Sequence, residues 1–269
     1  MKIILNKNRL IKLIKNEKNL GFVPTMGAIH GGHISLIKRS ISQCNKTVVS
    51  IFINRSQFNK KSDYTRYPRD LNSDINKIKK LNIDYLFIPA QKQMYPNGVN
   101  KNIRVSKFSK KLCGKFRPGH FKAVVDIIDR FIKIIRPTNI YLGEKDMQQL
   151  KIIEHYIKKN NVKTKIVPCK TIREKNGLAL SSRNFLLSIK EKEIAASIYK
   201  FLFKEKNKLI KNKKYLKKIK RTIFKYGVNK IDYIEILDIN KIIKPYRKFK
   251  KYKIFIAYYI GKVRLIDNF

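Results

Sequence analysis

The chain has 269 residues, of which 43% are hydrophobic, so it can bury a sizeable core and is not a disordered polypeptide. Lysine and arginine number 63 against 18 aspartates and glutamates, a formal charge of +45. We interpret this charge as compositional bias, because the lysines are spread over nearly the whole chain among abundant isoleucine and asparagine, the residues of AT-rich codons. A dedicated nucleic-acid partner is therefore not expected.

Cysteine content and hydropathy further limit the class of protein to which this chain can belong. Cys44, Cys113 and Cys169 are odd in number and far apart, so they predict neither a disulfide framework nor a zinc site, and we expect buried thiols in a reducing compartment. The amino-terminal apolar run is too short for a signal peptide. The longest apolar stretch, 254–260, is far too short to span a membrane. We expect a soluble, cytoplasmic protein with no membrane partner.

Apolar runs of strand length alternate with longer helical patterns up to about residue 170. The predicted strands are Leu20–Val23, Thr47–Ile53, Ile83–Ile88, Asn139–Leu142 and Lys163–Val167. The predicted helices are Ile34–Ser42, Asp70–Leu81, Phe121–Ile135 (ended by Pro137) and Met147–Lys159. This alternation is typical of an α/β fold with a doubly wound, Rossmann-like parallel sheet, whose ligands bind beyond the carboxyl ends of the strands.

The pattern changes after about Thr171. Two lysine-rich helices are followed by two strands, and the predicted bounds are Lys190–Lys211, Lys214–Lys225, Asp232–Leu237 and Lys253–Tyr259. We therefore predict two domains, 1–170 and 171–269, the second a smaller α+β domain. The lysines of 204–220 are interpreted as a solvated helix face.

Two histidines stand in the glycine-rich turn after the first predicted strand. This motif, His30-Gly31-Gly32-His33, opens the next predicted helix. The N–H groups and dipole of a helix start attract anions, and glycine allows a close approach to a ligand. Imidazoles can donate hydrogen bonds to phosphate oxygens during phosphoryl or nucleotidyl transfer. Taken alone, the motif could equally be a pair of surface histidines on a βα loop.

Polar segments follow other predicted strands. The amides of 54–58 can orient a carboxylate or hydroxyl, or form a turn that caps the sheet. The segment 143–146 places a lysine among two acids, which suits phosphate and ribose or a solvated turn. The segment 180–184 offers two serines and an arginine, either a triphosphate clamp or a helix cap. Their common position predicts one shared site.

Taken in order, these stretches resemble the pantoate–β-alanine ligase (pantothenate synthetase) family. The matching segments span nearly the whole chain and are 22–33, 54–58, 67–69, 94–96, 117–121, 143–150, 177–184 and 264–268. The resemblance implies a nucleotidyltransferase-type Rossmann-like domain, a carboxy-terminal lid domain and a homodimer. It also implies a reaction in which pantoate attacks the α-phosphate of ATP, with magnesium carried on ATP, to give pantoyl adenylate and pyrophosphate. The amine of β-alanine then displaces AMP to give pantothenate.

The resemblance assigns site residues by motif position, with no protein ligand to a metal. The implied catalytic residues are His30, His33, Lys145, Ser181, Ser182 and Arg183, with His33 as the acid that stabilises the leaving phosphate. The implied ATP contacts are Met26, Gly27, Ala28, Ile29, His30, Gly31, Gly32, His33, Gly143, Glu144, Lys145, Asp146, Ile172, Leu180, Ser181, Ser182 and Arg183. Pantoate is held by Met26, Gln57 and Gln149, and Gln57 also holds β-alanine.

Three positions depart from the family pattern: Gly31 replaces a usual Glu, Arg55 a usual Pro and Ala123 a usual Gly. None removes a candidate catalytic group, so we expect activity to be retained.

Two alternative functions fit the sequence less well. Another H-x-G-H nucleotidyltransferase, such as a cytidylyltransferase or the adenylyltransferase of coenzyme A synthesis, is less consistent with the segments 54–58 and 143–149. A basic nucleic-acid binder is less consistent with tyrosines and phenylalanines that lie mostly in apolar patterns.

Overall fold

The computed structural model of the protein describes residues 1–238 and 252–269. The chain divides into two compact units, which we call the first unit (Met1–Ile172) and the second unit (Arg173–Phe269). Within the described residues, every helix is too short or too polar to traverse a lipid bilayer.

The first unit contains a six-stranded parallel sheet. Its strands are β1 (Lys2–Ile4), β2 (Leu20–Thr25), β3 (Lys46–Ile51), β4 (Tyr85–Phe87), β5 (Asn139–Gly143) and β6 (Lys165–Cys169). The order β1-β4-β3-β2-β5-β6 means that the chain runs outward from β2 through β3 to β4 and resumes at β5 on the other side of β2. The direction of winding therefore reverses between β2 and β5, the place where such sheets open a ligand crevice.

Helices connect these strands. They are α1 (Lys7–Ile14), α2 (Gly31–Gln43), α3 (Lys61–Thr65), α4 (Leu71–Lys79), α5 (Gln91–Met94), α6 (Cys113–Phe116), α7 (His120–Ile135) and α8 (Met147–Lys159). The predicted parallel α/β fold is confirmed, and so are its five strands and four helices, with ends shifted by at most two residues except at the start of α2. The strand β1 and the helix α1 were not predicted, and neither were the short helices α3, α5 and α6.

An aromatic cluster fixes α7 against the sheet. The ring of Phe131 lies 5.1 Å from that of Phe22 on β2, 6.2 Å from that of Phe52 after β3, and 6.3 Å from that of Phe87 on β4, measured between ring centroids. Rings at these separations and tilts pack favourably. The helix ends at Ile135, as Pro137 predicts, and the following residue takes a left-handed conformation. The cysteines at 44, 113 and 169 are free and buried, which confirms their predicted state.

The second unit is the smaller α+β structure that the sequence predicts. It contains α9 (Ile189–Lys211), α10 (Leu216–Lys225) and an antiparallel sheet of β7 (Lys230–Asp238), β8 (Tyr252–Ile260) and β9 (Val263–Asn268). Buried side chains of both helices share one core with the sheet, among them Leu202, Leu209, Ile219, Ile254 and Ile256. The strand β9 was not predicted as a strand.

Candidate active site

Three of the predicted segments meet at one edge of the sheet. The histidine motif follows β2, the amide segment 54–58 follows β3, and the turn 143–146 follows β5. These strands are neighbours in the order β3-β2-β5 and run parallel, so their carboxyl ends lie side by side. The predicted common position is therefore confirmed for these three segments. The fourth, 180–184, lies in the second unit and is described separately.

The histidine motif forms the start of α2 itself. His30 is the N-cap, and its Nδ1 accepts a hydrogen bond of 3.1 Å from the N–H of Gly32. A nitrogen that accepts carries no proton, so the neutral ring bears its proton on Nε2, which can donate to a ligand. The ring of His33 packs against that of His30 with centroids 4.1 Å apart. Within the described residues the Nδ1 atom of His33 is buried without a hydrogen-bond partner.

Both imidazoles are held in the uncharged form. Burial, then the neighbouring His30 and the ammonium of Lys145, lower the pKa of His33 to about 3. Burial and then Lys145 lower the pKa of His30 to about 4, with Lys77 adding to the effect and Asp146 opposing it. The rings therefore act at neutral pH as N–H donors, and the positive charge beside them comes from Lys145. Since this lysine acts on both rings, the β5 turn faces the histidine pair.

A residue that the sequence analysis did not identify holds the turn before His30 through hydrogen bonds. The carboxylate of Asp74 on α4 accepts hydrogen bonds from the N–H groups of Ala28 (2.8 Å) and Ile29 (2.7 Å), and it is only 2% exposed. These two N–H groups are therefore bound within the protein. The first turn of α2 is the part of this motif whose backbone can bind an anion.

The amide segment after β3 is tied to the start of α7. The backbone carbonyl of the buried Gln57 accepts hydrogen bonds from Nδ1 of His120 (2.8 Å) and from the guanidinium of Arg117 (3.0 Å). Because Nδ1 of His120 donates, its Nε2 accepts from the other arginine nitrogen at 3.1 Å. The side chain of Asn54 donates to the carbonyl of Ala123 and accepts from the hydroxyl of Tyr95. The segment 117–121, which the sequence matched without a role, thus positions Gln57.

The turn after β5 carries the charged side chains of Glu144, Lys145 and Asp146, and two glutamines follow it at the start of α8. Lys145 lies in a 3₁₀ turn with its Nζ 3.5 Å from a carboxylate oxygen of Asp146. Gln148, in the first turn of α8, is buried and bonds to three backbone groups of the 108–113 loop. Its neighbour Gln149 is half-buried and takes no part in these contacts. Gln148 is therefore a structural residue, and Gln149 is the member of the pair that can serve a ligand.

In the second unit, the serine segment forms a short capped turn. The hydroxyl of Ser181 accepts from the N–H of Arg183 at 3.3 Å and caps a 3₁₀ helix over Ser182–Leu186. The side chain of Asn184 braces the turn through a 3.0 Å bond to the carbonyl of Ala179. The cap interpretation therefore holds for Ser181, while Arg183 and Leu180 are half-buried. Ile172, the last residue of the first unit, is exposed.

A doubly wound parallel sheet with a histidine pair and a lysine at its switch point defines a nucleotide-binding α/β enzyme. The family model for pantoate-beta-alanine ligase matches residues 2–269 of the chain. The chain belongs to this family and is a ligase. Its second-unit sheet and the motif order along both units agree with that membership.

Similar proteins cover the chain from end to end. A pantothenate synthetase of Sulfurihydrogenibium sp. is 43% identical over 100% of this chain and 99% of its own length. One of Caldicellulosiruptor saccharolyticus is 41% identical over 97% and 95%. The crystal structure of a Francisella tularensis pantoate-beta-alanine ligase, complexed with beta-gamma ATP and beta-alanine, is similar with a TM-score of 0.83 and 38% identity, over 100% of this chain and 97% of that one. A Thermus thermophilus pantothenate synthetase has a TM-score of 0.92 and 30% identity, over 100% and 99%.

Proposed function

We propose that this enzyme condenses pantoate with β-alanine, using ATP, to give pantothenate, AMP and pyrophosphate. The observation that carries the proposal is the placement of His30, His33 and Lys145 together at the β2/β5 switch point, with the buried Gln57 in the segment after the neighbouring strand β3. The solved relative complexed with beta-gamma ATP and beta-alanine supports the same substrates for this chain.

In the first step a carboxylate oxygen of pantoate attacks the α-phosphorus of ATP, and the bond to the β-phosphate breaks, so that pyrophosphate leaves. The proton on Nε2 of His30 and the ring of His33 donate to phosphate oxygens, and Lys145 balances the charge that builds on them. A nearby phosphate raises the pKa of both imidazoles, so His33 can serve as the acid that stabilises the leaving group. Magnesium carried on ATP would neutralise part of the phosphate charge beside Lys145.

In the second step the amine of β-alanine attacks the acyl carbon of pantoyl adenylate. A C–N bond forms, the bond from the acyl carbon to the phosphate oxygen breaks, AMP leaves and the amine loses a proton. Gln57 and Gln149 hold pantoate through their amides, which can both donate to a carboxylate and accept from hydroxyls, and Met26 also contacts it. Gln57 also receives β-alanine.

The remaining site residues have roles in ATP binding. The ATP contacts are the turn and helix start 26–33, the turn 143–146, Ile172, and Leu180 with Ser181, Ser182 and Arg183. The domain 1–170 is catalytic, and the domain 171–269 acts as a lid that brings the serines and arginine to the phosphates. The enzyme functions as a homodimer in the cytoplasm.

The test is the dependence of AMP release on each substrate. With ATP, magnesium and pantoate present, release of AMP over many turnovers should begin only when β-alanine is added, since water does not reach the adenylate in a closed site. Omission of pantoate should abolish it. AMP release at the same rate without β-alanine would show a different acceptor and would overturn the proposal.

A further inference from the structure

The turn that leads into the histidine motif is gripped from both sides by one turn of α4. The two carboxylate oxygens of Asp74 take the N–H groups of Ala28 and Ile29, and Nζ of Lys77 donates to the carbonyl of Ile29 at 3.1 Å. The residue directly before His30 thus has both its N–H and its C=O bound to α4. A buried carboxylate that accepts two consecutive amides is a strong, directional anchor.

One residue of the anchored turn, Ala28, has a backbone conformation that its side chain does not favour. Gly27 and Ala28 have φ angles of +76° and +51°. Alanine rarely adopts this left-handed region, because its Cβ crowds the following carbonyl oxygen. A Cβ on Gly27 would also come within 2.9 Å of Asp74. Such a conformation persists only when surrounding contacts hold it, and here the contacts come from α4.

We propose that Asp74, assisted by Lys77, is a positioning residue for adenylate formation: its grip on Ala28 and Ile29 sets the orientation of His30 and of the first turn of α2. Through Ile29 the grip fixes the peptide that carries His30, whose Nδ1 cap on Gly32 starts the helix. Asp74 acts through the backbone and is itself buried away from solvent. The inference rests on the proposed function for its kinetic readout.

The kinetic test compares Asp74→Asn with a matched control, Asp126→Asn. Asp126 is equally buried at 2% exposure and also accepts a loop N–H, that of Asn100 at 3.0 Å, but it holds a loop remote in sequence from the histidine motif. In ATP–pyrophosphate exchange with pantoate, Asp74→Asn should lower kcat/KM for ATP by about ten- to a hundredfold, the loss of one charged hydrogen bond. Its KM for β-alanine in the overall reaction should stay within about twofold.

The control separates positioning from stability. Asp126→Asn should lower the melting temperature as Asp74→Asn does, yet keep kcat/KM for ATP within about threefold of wild type. Adding Ala28→Gly to Asp74→Asn should recover part of the lost activity, because glycine takes a positive φ without strain. If Asp74→Asn lowers the melting temperature but keeps kcat/KM for ATP as close to wild type as the control does, Asp74 has only a structural role and the inference is wrong.

A second measurement uses the wild-type protein without substrates. Amide hydrogen exchange at Ala28 and Ile29 should be at least about a hundredfold slower than at an exposed loop amide, because both hydrogens are bound to a buried carboxylate. Fast exchange at both positions would overturn the inference even if Asp74→Asn fails to fold. The measurement is independent of catalysis. Slow exchange in an enzyme that shows no pantoate-dependent reaction would refute the proposed function but would still support the binding of Ala28 and Ile29 by Asp74.

Discussion

Acidification should destabilise the first unit through its two site histidines. Their pKa values lie at about 4 for His30 and about 3 for His33, against an ordinary value of 6.5 that the unfolded chain recovers. A group whose pKa is lowered by folding binds a proton more readily when unfolded. Its contribution to stability is therefore complete above pH 6.5 and is lost as the pH falls from 6.5 toward the folded value.

The magnitude at pH 5.5 follows from the unfolded chain alone. At pH 5.5 an unfolded histidine is protonated about ten to one, while both folded rings stay neutral. Each of the two histidines should therefore lower the free energy of unfolding by about 1.3 kcal/mol relative to pH 7.5. This figure is the upper limit, reached when both folded pKa values lie well below 5.5. Because both rings are only half-buried, solvent screening reduces the sum for the pair to about 2 kcal/mol.

The assay is native-state amide exchange of β2 and β3 in urea, which reports the unfolding free energy of the first unit without assuming that the whole chain unfolds together. The wild type should lose about 2 kcal/mol more between pH 7.5 and 5.5 than a variant lacking both rings. His33→Gln alone should show about half of that effect. His155→Gln, an exposed side chain on α8, is the control and should behave as wild type. Equal pH dependence of His33→Gln and wild type would refute the reasoning.

Three further outcomes test the site and its surroundings. Lys145→Ala should weaken the use of ATP, and Gln149→Ala should weaken the use of pantoate. Each effect should be at least about tenfold in steady-state kinetics, since a charged hydrogen bond is worth about 1.5–3 kcal/mol. If Lys145→Ala instead affected only pantoate, or Gln149→Ala only ATP, the assignment of these residues to the two substrates would be wrong. Lys204→Glu combined with Lys217→Glu, both exposed, should leave turnover unchanged in a folded enzyme, and a large loss would assign these lysines a function. Arg173→Lys should lower the free energy of unfolding of the second unit by about 1–3 kcal/mol in urea. The guanidinium of Arg173 makes an ion pair of two hydrogen bonds, 2.7 and 2.8 Å long, with Asp267 on β9, and it lies over the ring of Tyr199 on α9. An unchanged urea midpoint would contradict a stabilising role for that ion pair.

Where the periodic pattern is strong, the sequence predicts the fold well. The helix α8 has the predicted bounds at both ends, and α7 ends where its proline requires. The helix α2 begins three residues earlier than predicted, because two glycines disfavour a helix while the cap from His30 stabilises one. The helix α1 was missed because lysine and arginine interrupt a short apolar pattern of which only Leu10 and Ile14 are buried.

The site was predictable to the extent that its groups follow strands. Parallel strands bring their carboxyl ends together, so the position of three segments followed from the alternation of elements. The supporting contacts were not predictable in the same way. Asp74 meets Ile29 across 45 residues, and His120 meets Gln57 across 63. Neither contact leaves a periodic or motif signal, since each depends on how a helix packs beside a loop.

The most direct test of the account is ATP–pyrophosphate exchange with and without pantoate, in the wild type and in His33→Ala. The wild type should exchange only when pantoate is present, since the adenylate cannot form without its carboxylate. His33→Ala should lower the exchange rate by about two to four orders of magnitude, mainly in turnover, because its contact strengthens in the transition state. Exchange that runs equally well without pantoate, or a His33→Ala rate within a few-fold of wild type, would contradict the assignment of this site.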